Sequence, residues 1–576
     1  MNDIRRTILW VIFGFSLVML WDKWQVHNGH QATFFPSPKV TATAQPASTP
    51  SSAVPAATGS MPAPAATGAA TVPSASGSAA PGAQAAAAAT ARERFDVTTD
   101  LLKLTFDTEG GSLVRAELLR NIDMSDHKKN FVLLDDSAER VYMAQTGLIN
   151  ATAGTPLPTH QTVMTVVPGD RALKDGVNKL EIKFESPEVG GAKLVKTYTL
   201  ERGSYALGVK HEVVNAGAAP LSAKLYLQLV RDGNKPPGES SFYSTFTGPA
   251  VYTEAKKYEK IEFKDIESGK ASFVTSSPNG YVAMVQHYFA SAWLLGDGIT
   301  RELFARKVSN NLYSVGMITP LAAIAPGASQ AVDARIFMGP QEEKMLESLA
   351  TGLELVKDYG WLTILAKPLY WLLDQLHSII HNWGWSIMAL VLLLKIAFYW
   401  LNAKAYSSMA KMKAVNPRIM EMRERLKDKP QELQQAMMKI YREEKINPLG
   451  GCFPIMIQIP VFIALYWVLL SSVEMRGAPW MLWIKDLSAP DPFFILPVVM
   501  TLTTMLQTAL NPAPPDPMQA KLMWFMPLAF SVMFFFFPSG LVLYWITNNI
   551  LSIAQQWIIN TRMGVPPQFN LPKFSS

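Results

Sequence analysis

The chain has 576 residues, of which 49% are hydrophobic and only 17% charged, against roughly 25% charged in an ordinary soluble chain. Residues 31–90 hold a single charged residue, Lys39, while nearly all the long apolar runs follow Trp383, so a single soluble globule is excluded. The lone cysteine, Cys452, excludes an intrachain disulfide, a cysteine-based metal site and a CxxC redox pair; the net charge of +6 points to nucleic acid only until the basic residues are located.

In chain order, residues 1–25 predict an uncleaved membrane anchor. Arg5 and Arg6 precede an apolar run flanked by Trp10, Trp21 and Trp24, and no small-x-small cleavage site follows, so the N-terminus is expected in the cytoplasm. Residues 26–92, rich in Ala, Pro and Ser, bury too little apolar surface to fold and predict a disordered tether. From 93 to 345 the pattern turns to period-two stretches such as Lys179-Leu180-Glu181-Ile182-Lys183-Phe184 and Lys224-Leu225-Tyr226-Leu227-Gln228-Leu229-Val230, punctuated by Gly110-Gly111, Gly190-Gly191 and Pro236-Pro237-Gly238. These read as strands with one wet face in a large antiparallel β-sandwich, placed in the periplasm by the outward-going anchor. His160, His211 and His287 are scattered without a catalytic motif and read as structural. Exposed aromatics such as Trp293 leave sugar binding open, by analogy of fold alone.

Residues 359–381 carry Trp361, Leu362, Leu365, Leu369, Leu372, Leu373, Leu376 and Ile380 at helical spacing, with Lys367 and Asp374 among them. This predicts an amphipathic helix in the bilayer interface, a core helix of the sandwich being the competing reading. Within 382–562 five further spans are expected, roughly at 383–402, 453–472, 491–510, 521–537 and 540–559, each long enough for the hydrocarbon core. With the anchor they make six crossings and leave the tail, 563–576, in the cytoplasm.

Charge supports that topology. Between 403 and 451 lie eleven Lys or Arg against six acids, whereas the loop 474–490 has Glu474, Arg476, Lys485 and Asp486, net zero. The basic excess therefore marks the cytoplasmic side, and recognition of nucleic-acid sequence is not needed to explain it. The basic segment predicts a helical hairpin broken at Asp428-Lys429-Pro430. Its flexible thioethers, Met409, Met412, Met420, Met437 and Met438, with Arg418 and Arg423 beside them, suit either capture of varied apolar clients or the hairpin's own seam.

Lys395 is the most informative residue of the spans, because an ionisable group inside a bilayer costs about 2.5–3.5 kcal/mol and so faces protein, a watery cavity or the interface by snorkelling. No carboxylate lies in the central parts of the later spans to pair with it. Gln458, Thr503, Thr504 and Gln507, then Asn548, Ser552, Gln555 and Gln556, supply further polar groups; the last four recur at i, i+4, i+7 and i+8, a stripe on one side of the final helix, which either lines a cavity or joins helices.

The runs Ala405-Tyr406-Ser407-Ser408-Met409-Ala410-Lys411-Met412, Asn447-Pro448-Leu449-Gly450-Gly451-Cys452-Phe453-Pro454, Gln458-Ile459-Pro460-Val461-Phe462, Asp516-Pro517-Met518-Gln519 and Phe537-Pro538-Ser539-Gly540-Leu541-Val542-Leu543-Tyr544, in this order, resemble the YidC/Oxa/Alb family of membrane protein insertases. The resemblance covers about residues 359–560, and the anchor, tether and sandwich are similar to the Gram-negative form. It implies five spans around a hydrophilic groove, closed on the outside, with one positive residue. Lys395 stands where this family usually has Arg, keeping the charge but not the planar fork of donors, and Trp545 stands where a second Tyr often follows Tyr544. It further implies that Ile459, Phe462 and Trp545 line a slide for an incoming helix.

The expected protein is thus an α-helical polytopic insertase core with an N-terminal anchor and a periplasmic antiparallel β-sandwich. It is read as an insertase and chaperone of the bacterial inner membrane, acting without cofactor, metal or catalytic residue. The expected groove comprises Lys395, Gln458, Ile459, Phe462, Thr503, Gln507, Tyr544, Trp545, Asn548 and Ser552. Expected partners are nascent integral membrane proteins, membrane lipid, the ribosome and, from the resemblance, Sec translocase components. A secondary transporter and a membrane-anchored periplasmic sugar-binding enzyme are the competing classes, though no inverted repeat and no intramembrane carboxylate favour the first.

Overall fold

The computed structural model describes residues 92–564, apart from 125, 127, 152–155, 237–244, 427–428, 445–452 and 512–516, together with residue 569. The expected anchor and nearly all of the tether lie outside the described residues. The described chain divides at residue 358 into two compact units.

The first unit is built from two nine-stranded sheets, each antiparallel between neighbours. Strand Lys179–Glu185 shows why such segments become strands: Leu180, Ile182 and Phe184 are buried while Lys179, Glu181 and Lys183 face solvent, the period of two that a half-covered sheet demands. The expectation of one wet face fails in the middle of the sheets. Strands Ala223–Asp232, Tyr281–Gln286 and Phe289–Leu295 are buried on nearly every residue. In Ala223–Asp232, Gln228 bonds Gln145 and Ser314, and Tyr226 bonds His160, so the face that reads as polar is covered and its polar groups are satisfied. The sheets meet through such groups: the Tyr142 hydroxyl donates to the Met284 carbonyl at 3.1 Å, and the Trp293 indole donates to the Gln228 carbonyl at 3.0 Å. Trp293 is 1% exposed, which corrects the expectation that it is a surface aromatic available to a sugar.

The second unit is helical. Its helices are α1 (Thr363–Ile380), α2 (Trp383–Ala397), α3 (Tyr399–Arg425), α4 (Pro430–Glu443), α5 (Phe453–Ser471), α6 (Ile495–Leu510), α7 (Pro517–Ser531) and α8 (Ser539–Arg562). Helix α1 forms within the stretch read as helical: Ala366, Tyr370 and Leu373 are buried, while the apolar Ile364, Trp371 and Ile379 are exposed. Its core partners, among them Leu390, Val391, Leu465, Val468, Leu541 and Val542, come from α2, α5 and α8. It is therefore not a core helix of the sandwich.

Three expected spans are revised. The span at 383–402 is broken at Phe398, where α2 and the start of α3 bend by 66°. The hairpin arm consequently begins at Tyr399 and runs as one helix to Arg425. The span at 491–510 becomes helical only at Ile495, and the span at 521–537 starts earlier, at Pro517, and ends in a 3-10 turn, Val532–Phe536. Among the described residues no single helix is long and apolar enough to cross a membrane; the bent pair of α2 with residues 399–408 is, by length and composition.

Candidate functional site

Helix α8 carries the polar centre of the bundle. Its first turns are apolar and bury Leu541, Val542 and Leu543; from Thr547 onward polar residues enter at helical spacing. Lys395, projecting from the last turn of α2, is 8% exposed, and its Nζ donates to the Ser552 Oγ at 2.7 Å. Ser552 in turn donates to the Asn548 carbonyl at 2.7 Å, which leaves a lone pair of the hydroxyl turned to the ammonium. Its ammonium is thus enclosed by protein and bonded to α8. The five helices α2, α5, α6, α7 and α8 contain no Asp or Glu, so this cation meets neutral oxygen and no carboxylate within them.

One rung along α8, the Asn402 amide on α3 donates to the Gln555 side chain at 3.2 Å. The opposite flank faces α6: the Asn549 amide donates to Thr504 at 2.9 Å and to Thr503 at 3.3 Å, and the Gln556 amide donates to Asn511 at 3.3 Å. The expected single stripe is therefore two. Ser552 and Gln555 point to α2 and α3, whereas Asn549 and Gln556 point to α6, because residues i+7 and i+8 stand about 100° apart around the axis. Thr503 belongs to the second set and joins helices. Asn402 and Asn549 escape sequence reading: Asn402 falls at the edge of an assumed span, and Asn549 is hidden beside Asn548, although 549, 552 and 556 share the same spacing.

Of the residues expected to line a slide, the structure brings Phe462 and Trp545 together. Phe462 packs against Trp545 at 4.7 Å and Tyr544 at 5.5 Å between ring centroids, and Trp545 meets Phe534 at 4.4 Å. Ile459 is 48% exposed; Gln507 and Asn548 are half-buried. The side chain of Gln458 lies outside the described residues.

The hairpin, α3 and α4, has its own seam of Val415, Ile419 and Ile440, with Met412, Met422, Met437 and Tyr441 packed on it. Met420 and Met438 are half exposed on its surface. Met412 and Met437 thus pack the hairpin's own seam, whereas Met420 and Met438 do not belong to it; the side chain of Met409 is outside the described residues. Arg418 pairs with Glu444 at 2.8 Å, and Arg423 is half-buried.

In the β-sheet unit His160 and His211 are buried, while His287 is half-buried and stacks on Tyr288 at 3.8 Å between ring centroids. His160 shares a hydrogen bond of 2.7 Å with the Tyr226 hydroxyl, and His211 one of 3.0 Å with Thr146. Lys196, cross-strand from His211, donates to the carbonyls of Gly110 and Thr146. Burial pushes His160 down to about 4, His211 to about 3 and Lys196 to about 7. Among the described residues no group of His, Cys, Asp and Glu could hold a metal ion.

Among the described residues, short apolar helices packed around the buried Lys395 are joined in one chain to a large antiparallel sandwich, a two-unit class that the family comparisons place in the membrane. Residues 94–372 match the family described as the YidC periplasmic domain, and residues 375–565 the family described as the 60Kd inner membrane protein. A membrane protein insertase YidC of Cupriavidus necator is 56% identical over 565 residues, covering 98% of each chain. One of Bordetella pertussis is 53% identical over 562 residues, 97% of this chain and 98% of that one. A crystal structure of an active YidC insertase with its first transmembrane domain resolved is 19% identical and covers 81% of this chain and 92% of that one, at a TM-score of 0.36. The chain belongs to the YidC family of membrane protein insertases of the inner membrane.

Proposed function

We propose that this chain inserts apolar segments of membrane proteins into the bilayer and assists their folding, without covalent chemistry. The observation that carries this reading is Lys395, held at 2.7 Å from Ser552 inside a bundle whose spans lack carboxylates. A buried cation with only neutral partners attracts a passing negative group, which a structural ion pair does not do. The hairpin, with exposed Met420 and Met438 among basic residues, meets the nascent segment first. Its polar flank then enters the groove of Lys395, Gln458, Ile459, Phe462, Gln507, Tyr544, Trp545, Asn548 and Ser552, and its apolar stretch leaves into lipid. Burial of that stretch drives the process, at roughly 25 cal/mol per Å² removed from water.

In this reading the sandwich is periplasmic, both termini are cytoplasmic, and the ribosome and Sec translocase deliver clients to the hairpin and the groove. The test is reconstitution of the purified chain in liposomes with a short single-span substrate, followed by protease protection. Protected substrate above that of empty liposomes is expected. Protection equal to the empty control, with the chain folded and incorporated, would remove the proposal.

A further inference from the structure

Two side-chain hydrogen bonds straddle the bend at Phe398, and both end on α8. Before the bend Lys395 of α2 donates to Ser552 at 2.7 Å, and after it Asn402 of α3 donates to Gln555 at 3.2 Å. Gln555 stands nearly one turn beyond Ser552 on the same side of α8. The helices before and after the bend are therefore pinned to neighbouring rungs of a single helix, through four side chains that are all buried.

Nothing in the local sequence imposes the 66° turn. Residues 394–402 contain no Pro or Gly, the common causes of a sharp kink, and Phe398 sits at φ −92° and ψ 11°. Apolar packing does not impose it either: among the described residues the apolar core of the bundle draws no member from α3, whose own seam is made with α4. On the first turns of α3 the buried residues are Asn402 and the small Ala405, while Tyr399 and Trp400 are exposed and Lys404 stands over the Trp400 ring at 3.7 Å. Tyr406 follows with its hydroxyl beside Ser552, so the arm meets α8 chiefly through polar groups.

We propose that Asn402 and Gln555 are positioning residues that set the angle at which the hairpin arm leaves the bundle, and so present a client held on the hairpin to the Lys395 end of α8. A hinge pinned on both sides has one angle; pinned on one side it swings. The proposal rests on the reading of the hairpin as the capture site, so the angle is measured without a client, and capture is measured apart from insertion.

In the full chain, Cys452→Ser with Ala414→Cys and Arg562→Cys gives two exposed label sites, one on the arm and one at the end of α8, and the distance distribution between spin labels is recorded in liposomes. Asn402→Ala and Gln555→Ala are each expected to broaden it, whereas Asn549→Ala, which removes a bond from α8 to α6, leaves it as in the wild type. Exchanging the pair, Asn402→Gln with Gln555→Asn, keeps the summed side-chain length and an amide-to-carbonyl bond and is expected to narrow the distribution again. Without labels, the two Ala variants should keep wild-type crosslinks from hairpin to client yet protect severalfold less client from protease, with recovery in the exchanged pair. If one Ala variant does not fold, the other decides. An unchanged distribution in the folded Ala variants, equal broadening in Asn549→Ala, an exchanged pair no better than the single variants, or capture falling in step with protection overturns the proposal. A wild-type chain that protects no client removes the insertion reading instead, while the distances still decide what sets the angle.

Discussion

At the residue scale, the difference between Lys395 and its surroundings sets the expected electrostatics. A unit charge of the wrong sign in this position repels an acidic client tail by up to about 4 kcal/mol at 4 Å and an effective dielectric of 20. Lys395→Glu is therefore expected to impair clients with acidic translocated tails most, Lys395→Ala less, and neutral-tailed clients hardly at all. Protease protection of paired clients that differ only in tail charge, at equal protein abundance, checks this; equal failure of all clients would make Lys395 structural. The histidines of the sandwich act on stability instead. His160 has a folded value of about 4 against about 6.5 unfolded, so the unfolded chain binds the extra proton between those values and stability falls as pH drops through that window, by up to roughly 3 kcal/mol. Once the fall of intrinsic exchange with pH is divided out, the protection of strand Ala223–Asp232, whose Tyr226 bonds His160, should decrease from pH 6.5 to 4.5, and His160→Gln should reduce the effect. An unchanged profile in that variant would assign the acid sensitivity elsewhere.

At the element scale, the hairpin separates two kinds of methionine that its sequence cannot distinguish. Spacing on one helix does not reveal which face its partner covers, and only the pairing of α3 with α4 buries Met437 beside Ile440 while leaving Met420 and Met438 exposed. Met437→Gln places a polar group on the seam and should destabilise the hairpin by about 1–2 kcal/mol, seen as faster amide exchange in α4. Met420→Gln with Met438→Gln should leave exchange unchanged and weaken crosslinks from the hairpin to nascent chains. The reverse pattern would show that capture does not use the exposed thioethers. The same limit explains the bend at Phe398: residues 383–402 are apolar apart from Ser386, Lys395 and Asn402, so hydropathy reads one span where the chain makes two helices. The central strands illustrate the opposite failure. Alternation in 224–230 is real, yet a loop carrying His160 covers Tyr226, and coverage by a distant segment leaves no local trace.

At the scale of the whole molecule, the sequence motifs of 405–544 identify the helical unit, and the period-two pattern identifies the sheets; what neither reveals is which contacts make each unit self-sufficient. The helical core from Tyr359 to Ile546 is closed by its own side chains, whereas residues 341–357 belong to the sandwich, where the Tyr281 hydroxyl donates to the Gly352 carbonyl at 2.8 Å and Leu353 and Val356 are fully buried. The boundary of a tolerated deletion follows from this. Strand Ser329–Pro340 sits in mid-sheet, paired with Phe289–Leu295 on one side and Ala206–Asn215 on the other. A deletion of 94–328 would leave it with both edges unpaired and Ile336, Phe337 and Met338 uncovered, a template for aggregation. Removing 94–357 takes the strand and its supports together. The longer deletion is therefore expected to retain most insertion in the liposome assay and to remain monodisperse in detergent, while the shorter one aggregates or is degraded. Comparable loss of insertion in both, at matched protein levels, would show that the sandwich contributes to insertion itself.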